Sequence, residues 1–138
     1  MVARDRFVKY SKVELGEVKV LYESVMSVAA HGMFFRTGRI LGKRIAEEAK
    51  RSDDYFAAAG KLMVEEGWME KVEFNGLSVK VKGSIESGKS PSPTCHMLRG
   101  VITRLYEEKD GTGVYCQETE CESTGASGCT FKITKEVF

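Results

Sequence analysis

Cys95, Glu118, Cys121 and Cys129 are residue types that bind metal, and their spacing lets them converge. The segment Glu118-Thr-Glu-Cys121-Glu-Ser-Thr-Gly-Ala-Ser-Gly-Cys129-Thr-Phe131 sets a carboxylate and two thiols around a Gly-rich turn. Cys95 stands upstream, at the start of a predicted helix. Three thiolates and a carboxylate make a tetrahedral zinc set, and a closed set with no water position is structural. Cys116 competes with Glu118 for the fourth position, and soft thiolates alone would favour it. The alternative is four cysteines buried free in a core as small hydrophobes.

These residues need elements to position them. Val114 to Glu118 and Cys129 to Lys135 read as strands, with Val114, Cys116 and Glu118 on one face. That face looks inward, towards the helix carrying Cys95, which runs from Pro93 to about Glu108. Gly125 and Gly128 permit the turn between Cys121 and Cys129. Upstream, two alternating runs flank Asn75-Gly76, a hairpin signature in which Val72, Phe74, Leu77, Val79 and Val81 face the core. Val18 to Tyr22 is β-branched and apolar and reads as a strand. Ser24 to Lys50 reads as one long helix, with Val28, Met33, Phe34, Ile40, Leu41 and Ile45 at helical spacing. Gly38 and Gly42 share a face of it, which predicts close approach of another element. Ser52-Asp53-Asp54 offers a cap for a helix through Glu66, ended by Gly67. The expected fold is α/β of the α+β type: an antiparallel sheet of about four to five strands under a helical layer, one domain over 1–138.

Composition narrows the function. At 138 residues with a 42% apolar share the chain can bury a core, and a net charge of +1 gives no footprint for direct nucleic-acid binding. No apolar run reaches the length of about 18 residues that a membrane span needs. The N-terminal Met-Val-Ala-Arg-Asp-Arg-Phe is charged and lacks the apolar core of a signal peptide. A cytoplasmic protein is expected, in which the four cysteines serve metal rather than disulfides.

Gly83-Ser-Ile-Glu-Ser-Gly88-Lys89-Ser90 satisfies the phosphate-loop pattern. That loop needs a helix starting at its Lys-Ser, and Pro91 directly after Ser90 forbids one. The segment reads instead as a flexible polar loop, a lid over a pocket. Residues expected to line that pocket are His31, Phe34, Phe35, Trp68, Val72, Phe74, Leu105 and Cys116. His96 points elsewhere on its helix and is left out of the metal shell. No Ser/His/Asp arrangement is legible, so no catalytic set is expected.

Pro93-Thr-Cys95-His-Met-Leu-Arg-Gly100, Glu118-Thr-Glu-Cys121 and Gly125-Ala-Ser-Gly-Cys129-Thr-Phe131 resemble the vinyl-4-reductase domain family, over about residues 93–133. The resemblance implies a helical layer on an antiparallel sheet, often dimeric, the fold of vesicle-tethering TRAPP subunits and haem nitric-oxide sensors. Similar sensor domains of phenol-responsive activators hold a structural zinc through three Cys and one Glu beside an aromatic-ligand pocket. That spacing falls on Cys95, Glu118, Cys121 and Cys129, which implies Glu118 over Cys116 as the fourth ligand. Those activators continue into ATPase and DNA-binding domains; this sequence stops at Phe138, so output is expected to pass through a separate signalling partner. The resemblance implies a sensor for an apolar or aromatic small molecule. Two alternatives accompany it: a reductase or accessory protein acting on a vinyl group of a tetrapyrrole, and a dimerising scaffold like the tethering subunits. Gly111-Thr-Gly113 lacks the third glycine of a nicotinamide fingerprint, which disfavours an enzyme.

Overall fold

The computed structural model describes residues 6–135. The start of the N-terminal segment read for a signal peptide lies outside the described residues. In chain order the elements are α1 (Lys12–Met26), α2 (Ala29–Ala49), α3 (Tyr55–Glu66), β1 (Lys71–Asn75), β2 (Ser78–Lys82), α4 (His96–Asp110), β3 (Val114–Glu120), a one-turn 3-10 helix (Glu122–Thr124) and β4 (Cys129–Lys135). The strands form one open antiparallel sheet in the order β1-β2-β4-β3. The helices form the other layer, so the fold is the mixed α/β architecture that the strand pairs and long helices predict.

Cys95, Leu98, Val101, Ile102 and Leu105 of the α4 region are fully buried against Val79, Val81, Phe131 and Ile133 of the sheet. α2 covers α4 with Ile45, Ala46 and Ala49. Glycine sets the α2–α4 distance from both sides. A Cβ on Gly38 would overlap the carbonyl oxygen of Met97, and one on Gly100 would overlap that of Phe35. One on Gly42 would lie 2.9 Å from the Val101 carbonyl oxygen. The shared face of Gly38 and Gly42 is therefore a backbone-to-backbone helix contact.

Several local expectations need correction. Val18 to Tyr22 is helical, inside α1. A capping box outweighs its β-branched residues: Glu14 N donates to Ser11 Oγ (3.1 Å) and Ser11 N to Glu14 Oε1 (2.9 Å). The long helix from Ser24 is two helices, broken at Ser27, whose φ of 53° lies in the left-handed region. The hairpin exists, with Asn75 opposite Ser78, so its turn is Gly76-Leu77 rather than Asn75-Gly76. Gly76 carries the positive φ (61°) and Leu77 does not, the pattern of a turn with Gly first. Leu77 is therefore exposed on the turn and not on the core face. α4 begins at His96, with Cys95 as its cap, three residues after Pro93. Asp54 and Gly67 cap α3 as expected, with Gly67 left-handed at φ 92°.

Gly38→Ala or Gly100→Ala is expected to cost about 3 kcal/mol, because the added methyl meets backbone that cannot yield. Gly32→Ala has nothing within 4 Å and is expected to gain up to about 1 kcal/mol. Urea unfolding of the three variants reads both signs.

Candidate metal centre and the cleft beside it

Each of the four donor residues is placed by a different local device. Cys95 caps α4, at the end of the irregular segment that follows β2. Glu118 sits on the inward face of β3, in line with the buried Val114 and Cys116. A register shift between Glu118 and Glu120 bends the strand end, and a bulge of this kind redirects the chain. Cys121 opens the 3-10 turn, and the left-handed Gly125 (φ 102°) closes it. Cys129 starts β4 opposite Val81, where a Cβ on Gly128 would come within 2.9 Å of the Val81 carbonyl oxygen.

Ligand atoms of Cys95, Glu118, Cys121 and Cys129 all lie within 4.8 Å of one another. The three sulfurs are buried. Cys95 Sγ is 3.7 Å from Cys129 Sγ and 3.9 Å from Cys121 Sγ. No disulfide joins them. Four ligands at about 2.3 Å around a tetrahedral zinc put sulfurs about 3.8 Å apart, so the spacing fits. Glu118 Oε1 accepts from Cys95 N at 3.2 Å, while Oε2 is buried without a hydrogen-bond partner. A buried orphan acceptor costs about 1–3 kcal/mol, and a cation among the sulfurs would relieve it. Three cysteines and a glutamate thus stand close enough to hold one metal ion. Cys116 is buried outside this group, its thiol pushed up to about 12 by burial.

Hydrogen bonds from the Cys129 and Cys95 thiols hold Cys121 towards thiolate. The same contacts with Cys121 push the Cys95 and Cys129 thiols well up. Burial, with Cys121 beside it, raises Glu118 to about 8.

The surrounding loops are tied to the donors. Ser84 Oγ lies 3.1 Å from Cys95 Sγ. Glu122 accepts from the backbone amides of Gly83 and Ser84, both at 3.0 Å. Glu86 is buried and accepts from Met97 N (2.9 Å) and Leu98 N (2.6 Å) at the start of α4. Lys19 of α1 pairs with Glu86 at 2.9 Å and donates to the Thr94 carbonyl at 2.6 Å. Lys12 Nζ donates to the carbonyls of Ser84 (2.8 Å) and Ser87 (2.7 Å). The 83–94 segment is thus pinned at many points, unlike the flexible lid its composition suggested. No helix starts at Lys89-Ser90, and β2 has only antiparallel neighbours, so the phosphate-loop pattern has neither of its structural partners.

A cleft of about 340 Å³ opens beside the donors, between α4, β3 and the start of α2. His31 and Cys116 line it. The other residues expected around a pocket lie elsewhere. Phe34 stacks on Tyr22 of α1, and Phe35 lies under the Arg99 guanidinium. Trp68 is buried, with its indole N–H donating to Glu66, and Leu105 is fully buried in the core. Val72 and Phe74 flank a separate outer groove against Phe56 and Gly60 of α3. The cleft also contains His96, Arg99, Tyr115 and Gln117, which sequence reasoning did not select. His96 gave no local signal: it projects about 100° away from Cys95 around the helix, and the packing of α4 on the sheet turns it to the cleft.

With zinc supplied, Cys121→Ser is expected to take up less metal and to melt lower than the parent, whereas Cys116→Ser is expected to match the parent; metal content and thermal melts of both variants read this. Donors must be deprotonated to bind zinc. Since Cys95, Cys129 and Glu118 sit above their ordinary values, zinc affinity is expected to fall steeply from pH 8 to pH 6. Competition with a colorimetric chelator measures it, and a flat profile would contradict the donor set.

The V4R domain family model matches residues 77–135. Comparison with curated proteins returns no match. Three solved structures share the fold. The phenol-responsive sensory domain of the transcription activator PoxR, with phenol, has a TM-score of 0.81 and 22% identity, covering 95% of this chain and 77% of that one. A vinyl-4-reductase family protein from Methanocaldococcus jannaschii has a TM-score of 0.69 and 15% identity, covering 95% and 85%. Trafficking protein particle complex subunit 3 from Naegleria fowleri, covalently bound to palmitic acid, has a TM-score of 0.55 and 12% identity, covering 93% and 98%. The chain is therefore similar to the V4R domain family, by sequence over residues 77–135 and by fold over nearly all of its length.

Proposed function

We propose that this chain is a small-molecule-binding sensor domain stabilised by a structural zinc ion held by Cys95, Glu118, Cys121 and Cys129. The observation that carries it is a buried, closed four-donor set beside a ligand-sized cleft. Zinc at such a set supplies no open position for chemistry, and its binding free energy is folding free energy. The phenol-bound sensor domain of the same fold supports an aromatic ligand class. The cleft volume stands at the lower end of small-molecule sites, which suits one ring better than a tetrapyrrole macrocycle. No helix is long and apolar enough to cross a membrane among the described residues.

A homodimer accompanies this reading. Val13, Val20, Leu21 and Val25 are more than half exposed along one stretch of α1. Such a stripe suits a two-fold contact with a second copy. A scaffold role would use the same face, and a sensor would use it to pass ligand occupancy to a separate partner.

Two outcomes test the proposal. Zinc removal with a chelator is expected to lower the melting temperature, with recovery on adding zinc back; an unchanged melt would contradict a structural ion. A mass corresponding to two chains is expected by light scattering for the intact protein, and Val20→Glu/Val25→Glu should halve it while retaining zinc.

A further inference from the structure

Arg99 lines the cleft with no carboxylate partner among the described residues. Three other arginines of α2 and α4 differ: Arg39 pairs with Glu107, Arg44 with Glu66 and Arg104 with Glu108. The Arg99 guanidinium lies 4.2 Å over the Phe35 ring. Stacking uses the face of a guanidinium and leaves its in-plane N–H fork free for a bidentate oxygen acceptor. The one carboxylate of the cleft, Glu118, faces the amide of Cys95. Glu23, nearby, is engaged by His31 Nε2 at 2.8 Å.

The cleft also has an aromatic wall. His31 and His96 stack with ring centroids 4.1 Å apart and planes 16° from parallel. Both line the cleft, opposite the β3 residues Tyr115 and Cys116. Parallel flat rings favour a flat partner in offset stacking. The volume of about 340 Å³ accommodates one ring with a short substituent.

We propose that this cleft binds a small planar carboxylate, with the carboxylate on the Arg99 fork and the ring against the His31–His96 pair. The inference rests on the small-molecule-sensor reading and deepens it, because it names an anionic aromatic acid rather than a neutral phenol as the ligand class. It also places that ligand against Glu118, so occupancy and the metal loop share a residue.

Benzoate, phenol and cyclohexanecarboxylate serve as probes, titrated by calorimetry into the full zinc-loaded chain and its variants. Benzoate is expected to bind more tightly than the other two. Arg99→Met is expected to weaken benzoate by at least about tenfold, as loss of a charge-assisted bidentate contact implies, with zinc content unchanged. Arg99→Lys, which keeps charge and stem, is expected to lose about fivefold because it lacks the fork; it carries the test if the Met variant does not fold. Equal benzoate affinity in wild type and variants would overturn the assignment of Arg99. Binding of phenol without benzoate would overturn the acid ligand class and leave the sensor reading standing. Binding of none of the three, with no small molecule retained on the purified protein, would overturn both.

Discussion

Burying three thiols and a carboxylate within 4.8 Å of one another leaves one oxygen, Glu118 Oε2, without a hydrogen-bond partner. The thiols have one another as hydrogen-bond partners, which holds Cys121 towards thiolate and raises Cys95 and Cys129. The orphan oxygen of Glu118 has no such recourse. A cation would give that oxygen a partner and would favour the deprotonated thiols. The helix start, the bulge in β3, the 3-10 turn and the first residue of β4 meet at these four residues.

Polar contacts tie this meeting point to its surroundings. Glu122 holds the backbone of Gly83 and Ser84, and Ser84 touches Cys95. Glu86 fills the N-terminus of α4, where exposed amides favour an anion, and its charge is balanced by Lys19. A buried ion pair of this kind adds little net stability, but removing one partner strands the other. α1 presents much of its apolar surface to solvent and is joined to this network by Lys12 and Lys19. Two ammonium groups thus tie the helix to the loop that frames the four donors, beside the Tyr22–Phe34 stack and the buried Leu15.

The legible parts of this structure are those governed by short-range rules. β3, β4 and both ends of α3 follow from alternation, an Asp cap and a left-handed glycine. The four donors follow from residue type and spacing, with the choice of Glu118 over Cys116 resting on family resemblance. The misread parts were decided by competition or by distance. In α1 the Ser11–Glu14 box overrides the strand character of Val18 to Tyr22, and the box was visible to anyone weighing both signals. The pocket list failed to gather in one place because apolar residues on inward faces say only that they are buried. Phe34, Trp68 and Leu105 were absorbed by packing, whereas Arg99 and His96 reached the cleft through the register of α4 on the sheet. Glu86 lay inside a motif resembling a phosphate loop, and nothing local marks it as the partner of a lysine 67 positions away.

The identity of the fourth ligand is the central point, since it separates a mixed sulfur–oxygen site from four thiolates or from a metal-free cysteine core. X-ray absorption at the zinc edge on protein purified without added metal measures it directly. One zinc per chain is expected, with three sulfurs at about 2.3 Å and one oxygen at about 2.0 Å. A four-sulfur shell would replace Glu118 by Cys116, and an absent zinc edge would contradict the metal centre altogether.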